Sequence, residues 1–175
     1  VVASGEAGNF AVIPDYDTWQ FDPQAAYFHY TPNETIGGVE FHWIPDAGKV
    51  PLVVDMSSTI LSRPVDISRF GVIYAGAQQH IGPAGLTLVI ARRELFGRGS
   101  DALPVCMNWQ TQAESGSMYN TPPTFALYLA GLVFKWLKSR GGLEAMASLN
   151  EAKASRLYDY IDTSGFYANP VEVAS

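Results

Sequence analysis

Sulfur, basic charge and long apolar runs are all scarce in this chain of 175 residues. A single cysteine, Cys106, excludes an internal disulfide, and beside three histidines it offers no metal-ligand spacing. That usage fits a reducing, cytoplasmic setting. Lysine and arginine number 11 against 17 acidic residues, for a net charge of -6 with no basic stripe. Nucleic-acid binding through phosphate neutralisation has little to work with here. The longest apolar candidate, Phe125 to Trp136, is interrupted by Tyr128, Gly131 and Lys135, so no bilayer span is expected. No basic-then-apolar signal opens the chain. It begins Val1-Val2 without a methionine, directly into what reads as strand, which points to a segment upstream.

What is present is ordinary for one globular domain, with 47% hydrophobic and 16% charged residues. Apolar runs at Ala25 to Tyr30, Val50 to Val54 and Val72 to Ala75 each end in polar residues. The Val50 run is continuous, as in a strand covered on both faces. This recurrence predicts an α/β fold with a largely parallel sheet, its site at the carboxyl ends of the strands. Leu86 to Ile90 follows a Gly-Pro-Ala-Gly turn too short for a helical crossover, so it should run antiparallel to the Val72 strand. Val39 to Ile44 alternates in polarity like a further strand, and residues 9 to 24 read as an irregular connection.

After a loop from Gly97 to Ser117, Thr121-Pro122-Pro123 opens a helix running from Thr124 to Arg140, stopped by Gly141-Gly142. Phe125, Leu129, Leu132, Val133 and Trp136 share its expected inner face. A second helix, Leu143 to Tyr160, has Met146, Leu149, Ala152, Leu157 and Ile161 at helical spacing.

The stretch GVIYAGAQQHIGPAG, Gly71 to Gly85, organises the chemistry. A buried strand ending in Ala-Gly-Ala lets backbone or a ligand approach closely. Asp55, at the end of the neighbouring strand, faces the same crevice and is the strongest site candidate, with a helix cap for Ser57 onward as its plainer role. With YTPNETI, DMSSTILSRP, IGPAGLTLVI and NTPPTFALYLAGLVFKWLK, the stretch resembles phosphoserine aminotransferases, pyridoxal-phosphate enzymes of serine biosynthesis. The resemblance runs from about Ala26 to Tyr167.

It implies the central part of a fold-type I aminotransferase large domain, residues 1–175, mostly parallel with one antiparallel strand and flanked by helices. It also implies that the upstream strands and the carboxyl-terminal small domain lie outside this stretch, since the family's enzyme is about twice as long. Pyridoxal phosphate is the implied cofactor, Asp55 the partner of its ring nitrogen, Thr35 a contact near its ring oxygen and Gln78 a contact to its phosphate. Asn120 and Thr121 match the pair that reaches across a homodimer to the neighbour's cofactor phosphate; alone, Thr121 would read as a helix cap.

One position departs from the family. Gln79 stands where the Schiff-base lysine belongs, and a carboxamide cannot form an imine because its nitrogen lone pair is delocalised into the carbonyl. His80 could be imagined as a replacement base. Successive residues near a strand end point in opposite directions, however, so a packing or surface role is expected for it. Lys49 lies at the amino end of the Val50 strand, and Lys135, Lys138 and Lys153 lie on the late helices; none is expected to reach a cofactor held by Asp55 and Thr35. Two expectations follow: part of a phosphoserine aminotransferase, inactive alone, for which phosphohydroxypyruvate and glutamate are the complete enzyme's substrates; or a non-catalytic homologue that holds pyridoxal phosphate noncovalently or serves in assembly.

Overall fold

The computed structural model describes residues 1–172. Four strands form one sheet in chain order: β1 (Phe28–Tyr30), β2 (Leu52–Asp55), β3 (Val72–Gly76) and β4 (Thr87–Ala91). The first three run parallel, and β4 returns antiparallel along β3 from Gly76↔Thr87 to Val72↔Ala91. The mostly parallel sheet with its single reversed strand is as the sequence predicts. Three helices follow, α1 (Trp109–Glu114), α2 (Thr124–Ser139) and α3 (Gly142–Ser164).

The core lies on one face of the sheet. Tyr30, Leu52, Val54, Ile73 and Ala75 point into it and meet Met56, Ile60, Phe70, Ile81 and Ala130. On the opposite face Val72 is buried, Val53, Asp55 and Tyr74 are half-buried, and His29 and Val89 are exposed. The expectation that the Val50 run is covered on both faces is therefore not met by these residues: Leu52 and Val54 are enclosed, whereas Val53 and Asp55 alternate outward. A run of valines satisfies either arrangement, because the same side chains tolerate half-burial.

The carboxyl-terminal helices also differ from their expected faces. On α2 the buried residues are Ala126, Ala130 and Leu137, while Phe125, Leu132 and Trp136 are exposed. Small side chains face inward because α2 sits directly on the turn after β3, where a Cβ placed on Gly82 would lie 3.5 Å from the Ala130 nitrogen. A backbone approach that close leaves room for methyl groups only. The helix starts at Pro123 without a side-chain cap, so Thr121 does not cap it. α3 runs on to Ser164, past the expected Tyr160, and ends at Gly165 in the left-handed region. Leu149 and Leu157 are exposed.

Three further expectations fail. Val39 to Ile44 makes a single bridge, Asn33↔Glu40, instead of a strand. The Phe41 N–H donates to Pro32 as one of that bridge's two bonds, and beyond it the Arg63 guanidinium donates to the Phe41 carbonyl and pairs with Glu40. Phe41 and Trp43 join Trp19, Phe21 and Phe28 in an aromatic cluster with ring centroids 5.1 to 6.1 Å apart, which also anchors the irregular segment ahead of β1. The loop from Gly97 contains α1, whose first turn is capped by the Asn108 carboxamide oxygen accepting from the Gln110 N–H at 2.9 Å. Val1 and Val2 form no strand.

Ile73 is 1% exposed at the centre of the core. Ile73→Ala is expected to cost about 2–5 kcal/mol, read as a lower urea midpoint with an unchanged denaturant slope. Burial pushes the Tyr30 phenol up to about 12 against the pull of the Arg63 and Arg69 charges. Folding thus favours the neutral phenol, so its contribution is complete below the ordinary value of 10.0 and is lost as pH climbs through about 12. Tyrosinate absorbance should show a phenol ionising at about 12, and Tyr30→Phe should remove that step.

Candidate functional site

The carboxyl ends of β2 and β3 are joined by side-chain hydrogen bonds. Past Asp55 the chain must turn, and the Asp55 carboxylate organises the turn: Oδ1 accepts from the Ser57 N–H at 2.9 Å and from the Ser57 hydroxyl at 2.6 Å. The Ser57 oxygen in turn accepts from the Gly76 N–H at 2.9 Å. A backbone bond from the Met56 N–H to the Tyr74 carbonyl, 2.8 Å, closes the junction. Asp55 therefore caps a turn and not the helix expected of its plainer role. No helix follows it, since residues 57–61 form only turns.

Gln78 folds back over this junction. A Cβ on Gly76 would lie 2.6 Å from Gln78 Oε1 and 3.1 Å from Nε2, so the carboxamide occupies the space that a side chain at residue 76 would need. Gly76 is thereby what brings Gln78 above Ser57 and Asp55. Thr35 lies on the exposed turn after β1, and that turn is tied to the same region by Asn33, whose Nδ2 donates to Ser58 Oγ at 3.0 Å. Asp55, Gln78 and the Thr35 turn therefore converge at one end of the sheet. Asn120 and Thr121 lie on an exposed loop before α2 and make no hydrogen bond to that group.

Gln79 is exposed and makes no hydrogen bond to any described residue. His80 Nε2 lies 3.0 Å from the Ser58 carbonyl oxygen, so its ring braces the turn. Both residues line a cleft with Leu61, Trp136, Asn150 and Lys153. Lys153 is thus closer to residue 79 than its position in sequence suggests, on the helix side of the turn. Lys49 lies at the other end of β2, beside Val50.

Sequence reading passed over two residues that the structure places beside Asp55. Tyr74 is the register partner of Asp55 across β2 and β3, and desolvation first, then the Asp55 charge, raises its phenol above the ordinary value. His29 Nε2 lies 3.0 Å from that hydroxyl, with the two rings stacked at 23°. Period-two alternation placed His29, Val53 and Asp55 on one face, and this signal was available. The strand register needed to add Tyr74 was not.

The group offers an anchored carboxylate, hydroxyl and amide donors and an open approach from the sheet's exposed face. That set can hold a cationic ring nitrogen and a polar or anionic substituent, and it contains no amine. Among the described residues no cluster of ligands suits a metal ion.

Residues 2–174 match the family described as aminotransferase class-V. The chain is 63% identical over 174 residues to the phosphoserine aminotransferase of Hahella chejuensis, covering 99% of this chain and 48% of that protein. To the enzyme of the same name from Pseudomonas syringae pv. tomato it is 58% identical, covering 98% and 47%. Among solved structures, phosphoserine aminotransferase from Bacillus circulans subsp. alkalophilus superposes with a TM-score of 0.96 at 48% identity, covering all of this chain and 49% of that one. A pyridoxal-phosphate-bound phosphoserine aminotransferase from Trichomonas vaginalis gives 0.90 at 42% identity, covering 95% and 46%. The chain spans about half the length of the curated relatives it matches.

Ser57→Ala removes the hydroxyl that links Gly76 to Asp55 and leaves the Gly76 N–H without its partner. The expected loss is about 1–2 kcal/mol, with faster hydrogen exchange at the Gly76 amide, whereas Ser57→Thr should keep most of the protection.

Proposed function

The chain belongs to the class-V aminotransferases, and on that premise we propose that it is the cofactor-holding part of a phosphoserine aminotransferase-type protein in which position 79 withholds covalent attachment. The observation that carries this reading is the convergence of Asp55, Ser57, Gly76 and Gln78 at the ends of β2 and β3. In its complete form such an enzyme converts 3-phosphohydroxypyruvate and glutamate to phosphoserine and 2-oxoglutarate. Residues 1–175 would be part of its large, pyridoxal-phosphate-binding domain.

The residues present suit pyridoxal phosphate as a noncovalent ligand. Asp55 would hold the protonated ring nitrogen, its own orientation fixed by Ser57, while Gln78 would donate to the phosphate and Thr35 would meet the ring oxygen side. When bound, the cofactor supplies an electron sink for a substrate carbon. Asp55 would supply the compensating negative charge, and Gly76 leaves room for the Gln78 carboxamide. At position 79 the chain has no amine to give, so release and recapture of substrate nitrogen through that residue is closed.

A cytoplasmic homodimer completes the reading. The exposure of Asn120 and Thr121, apart from Asp55, suits a pair that serves a neighbour's site. No helix among the described residues is long and apolar enough to cross a membrane. A second reading, a non-catalytic homologue that binds the cofactor or assists assembly, is favoured by one observation: Gln79 itself.

Incubation with pyridoxal phosphate followed by borohydride should leave no pyridoxyl adduct at residue 79 by mass spectrometry, while equilibrium dialysis shows reversible binding. Asp55→Asn should weaken that binding at least about tenfold, the scale of one lost charge-assisted contact. Gln79→Lys, in a chain of the relatives' full length, should introduce the adduct. An adduct at residue 79 of the unaltered chain would overturn the proposal, as would binding indifferent to Asp55.

A further inference from the structure

At the end of the sheet remote from Asp55, the amino ends of β2 and β3 meet the carboxyl end of β4 around a cleft of about 200 Å³. Gly71 knits the three strands together there. Its N–H donates to the Leu52 carbonyl at 2.8 Å, and its own carbonyl accepts from the Arg92 N–H at 2.9 Å. A Cβ placed on it would lie 2.9 Å from Pro51 Cβ and 3.2 Å from a Leu95 methyl carbon, so the approach depends on the missing side chain. Four of the 11 lysine and arginine residues line the cleft, Lys49, Arg69, Arg92 and Arg98, with Glu94 as its one acid. In a chain whose 17 acidic residues outnumber its basic ones, this is a local reversal of charge.

The protein itself uses only part of that charge. Arg92 is fixed: Nε donates to the Phe70 carbonyl at 2.9 Å, one terminal nitrogen donates to the Ser68 carbonyl, and the other lies 3.5 Å from the Glu94 carboxylate. Arg98 Nε donates to the Glu94 carbonyl at 3.0 Å, which leaves both of its terminal nitrogens without a partner among the described residues. The side chains of Lys49 and Arg69 make no hydrogen bond or ion pair among those residues. Asp46 and Asp66, on the turns leading into β2 and β3, direct Oδ1 at their own turns, accepting from the Gly48 N–H at 2.9 Å and the Ser68 N–H at 3.0 Å. Like charges gathered in one cleft repel, and an anion between them turns that repulsion into attraction. Guanidinium forks match the oxygens of a phosphate in pairs, and a lysine adds a mobile charge. The cleft is smaller than the roughly 300 Å³ at which pockets for larger ligands begin, so it suits one small group. We infer that it binds a phosphate group, free or as the ester of a small molecule, contacted by Lys49, Arg69 and Arg98 with Arg92 as the fixed cation behind them. The site lies at the opposite end of β2 and β3 from Asp55 and Gln78, and it does not rest on the reading of the cofactor end.

The test titrates the isotope-labelled full chain with inorganic phosphate, with glycerol phosphate and, as a control, with sodium chloride at matched ionic strength, following backbone amide resonances. Phosphate should move the amides of Lys49, Gly71 and Arg92 with saturation and leave those of Gly76 and Gln78 in place. Lys49→Gln combined with Arg98→Gln, both exposed, should weaken phosphate binding at least about tenfold, the scale of lost charge-assisted contacts. Glycerol phosphate binding no tighter than inorganic phosphate would identify the free ion as sufficient, and tighter binding would identify an ester; either result supports the site. Equal shifts with sodium chloride would mean a general salt effect only and overturn the inference. Shifts confined to Gly76 and Gln78, or a double variant that binds phosphate as the unaltered chain does, would overturn it too.

Discussion

Two neighbouring parallel strands end in a shared turn region, and one serine hydroxyl holds them together. Ser57 donates to Asp55 at the end of β2 and accepts from the backbone of Gly76 at the end of β3. Parallel strands have no hairpin between them to fix the relation of their tips, so this must be done by side chains or by the connecting segments. The rest of the site is positioned from that junction. Gln78 lies over Gly76 because the glycine leaves the volume free, and the turn carrying Thr35 is fastened to the next residue, Ser58, through Asn33.

The division of the sheet into an enclosed face and a half-open one separates stability from chemistry. Ile73, Ala75, Leu52 and Val54 exclude water on one side. On the other, the same strands present His29, Asp55 and Tyr74. Alternation along a strand means that the residue next to each core anchor is automatically a candidate for the site. A core residue such as Val54 thus fixes Asp55 as firmly as any direct contact does.

The sheet was legible because its signals were local. Short apolar runs, the Gly-Pro-Ala-Gly reversal and the polar residues closing each run predicted order and direction, and Asp55 followed from its place at a strand end. The failures share a different cause. The inner face of α2 was assigned to its large apolar residues, whereas close contact with the turn at Gly82 selected Ala126 and Ala130. The alternation of Val39 to Ile44 was real, yet Arg63 engages the Phe41 carbonyl just past the single bridge. Tyr74 and His29 became neighbours of Asp55 only through register between strands far apart in sequence. Each miss involved a contact that the segment itself did not encode.

Gln79 is exposed, and no described residue relies on it for a hydrogen bond. Natural selection acting on folding alone would therefore be blind to what occupies that position. Exchange of one polar side chain for another there would leave the described scaffold undisturbed, so the identity of residue 79 is a matter separate from the architecture that carries it.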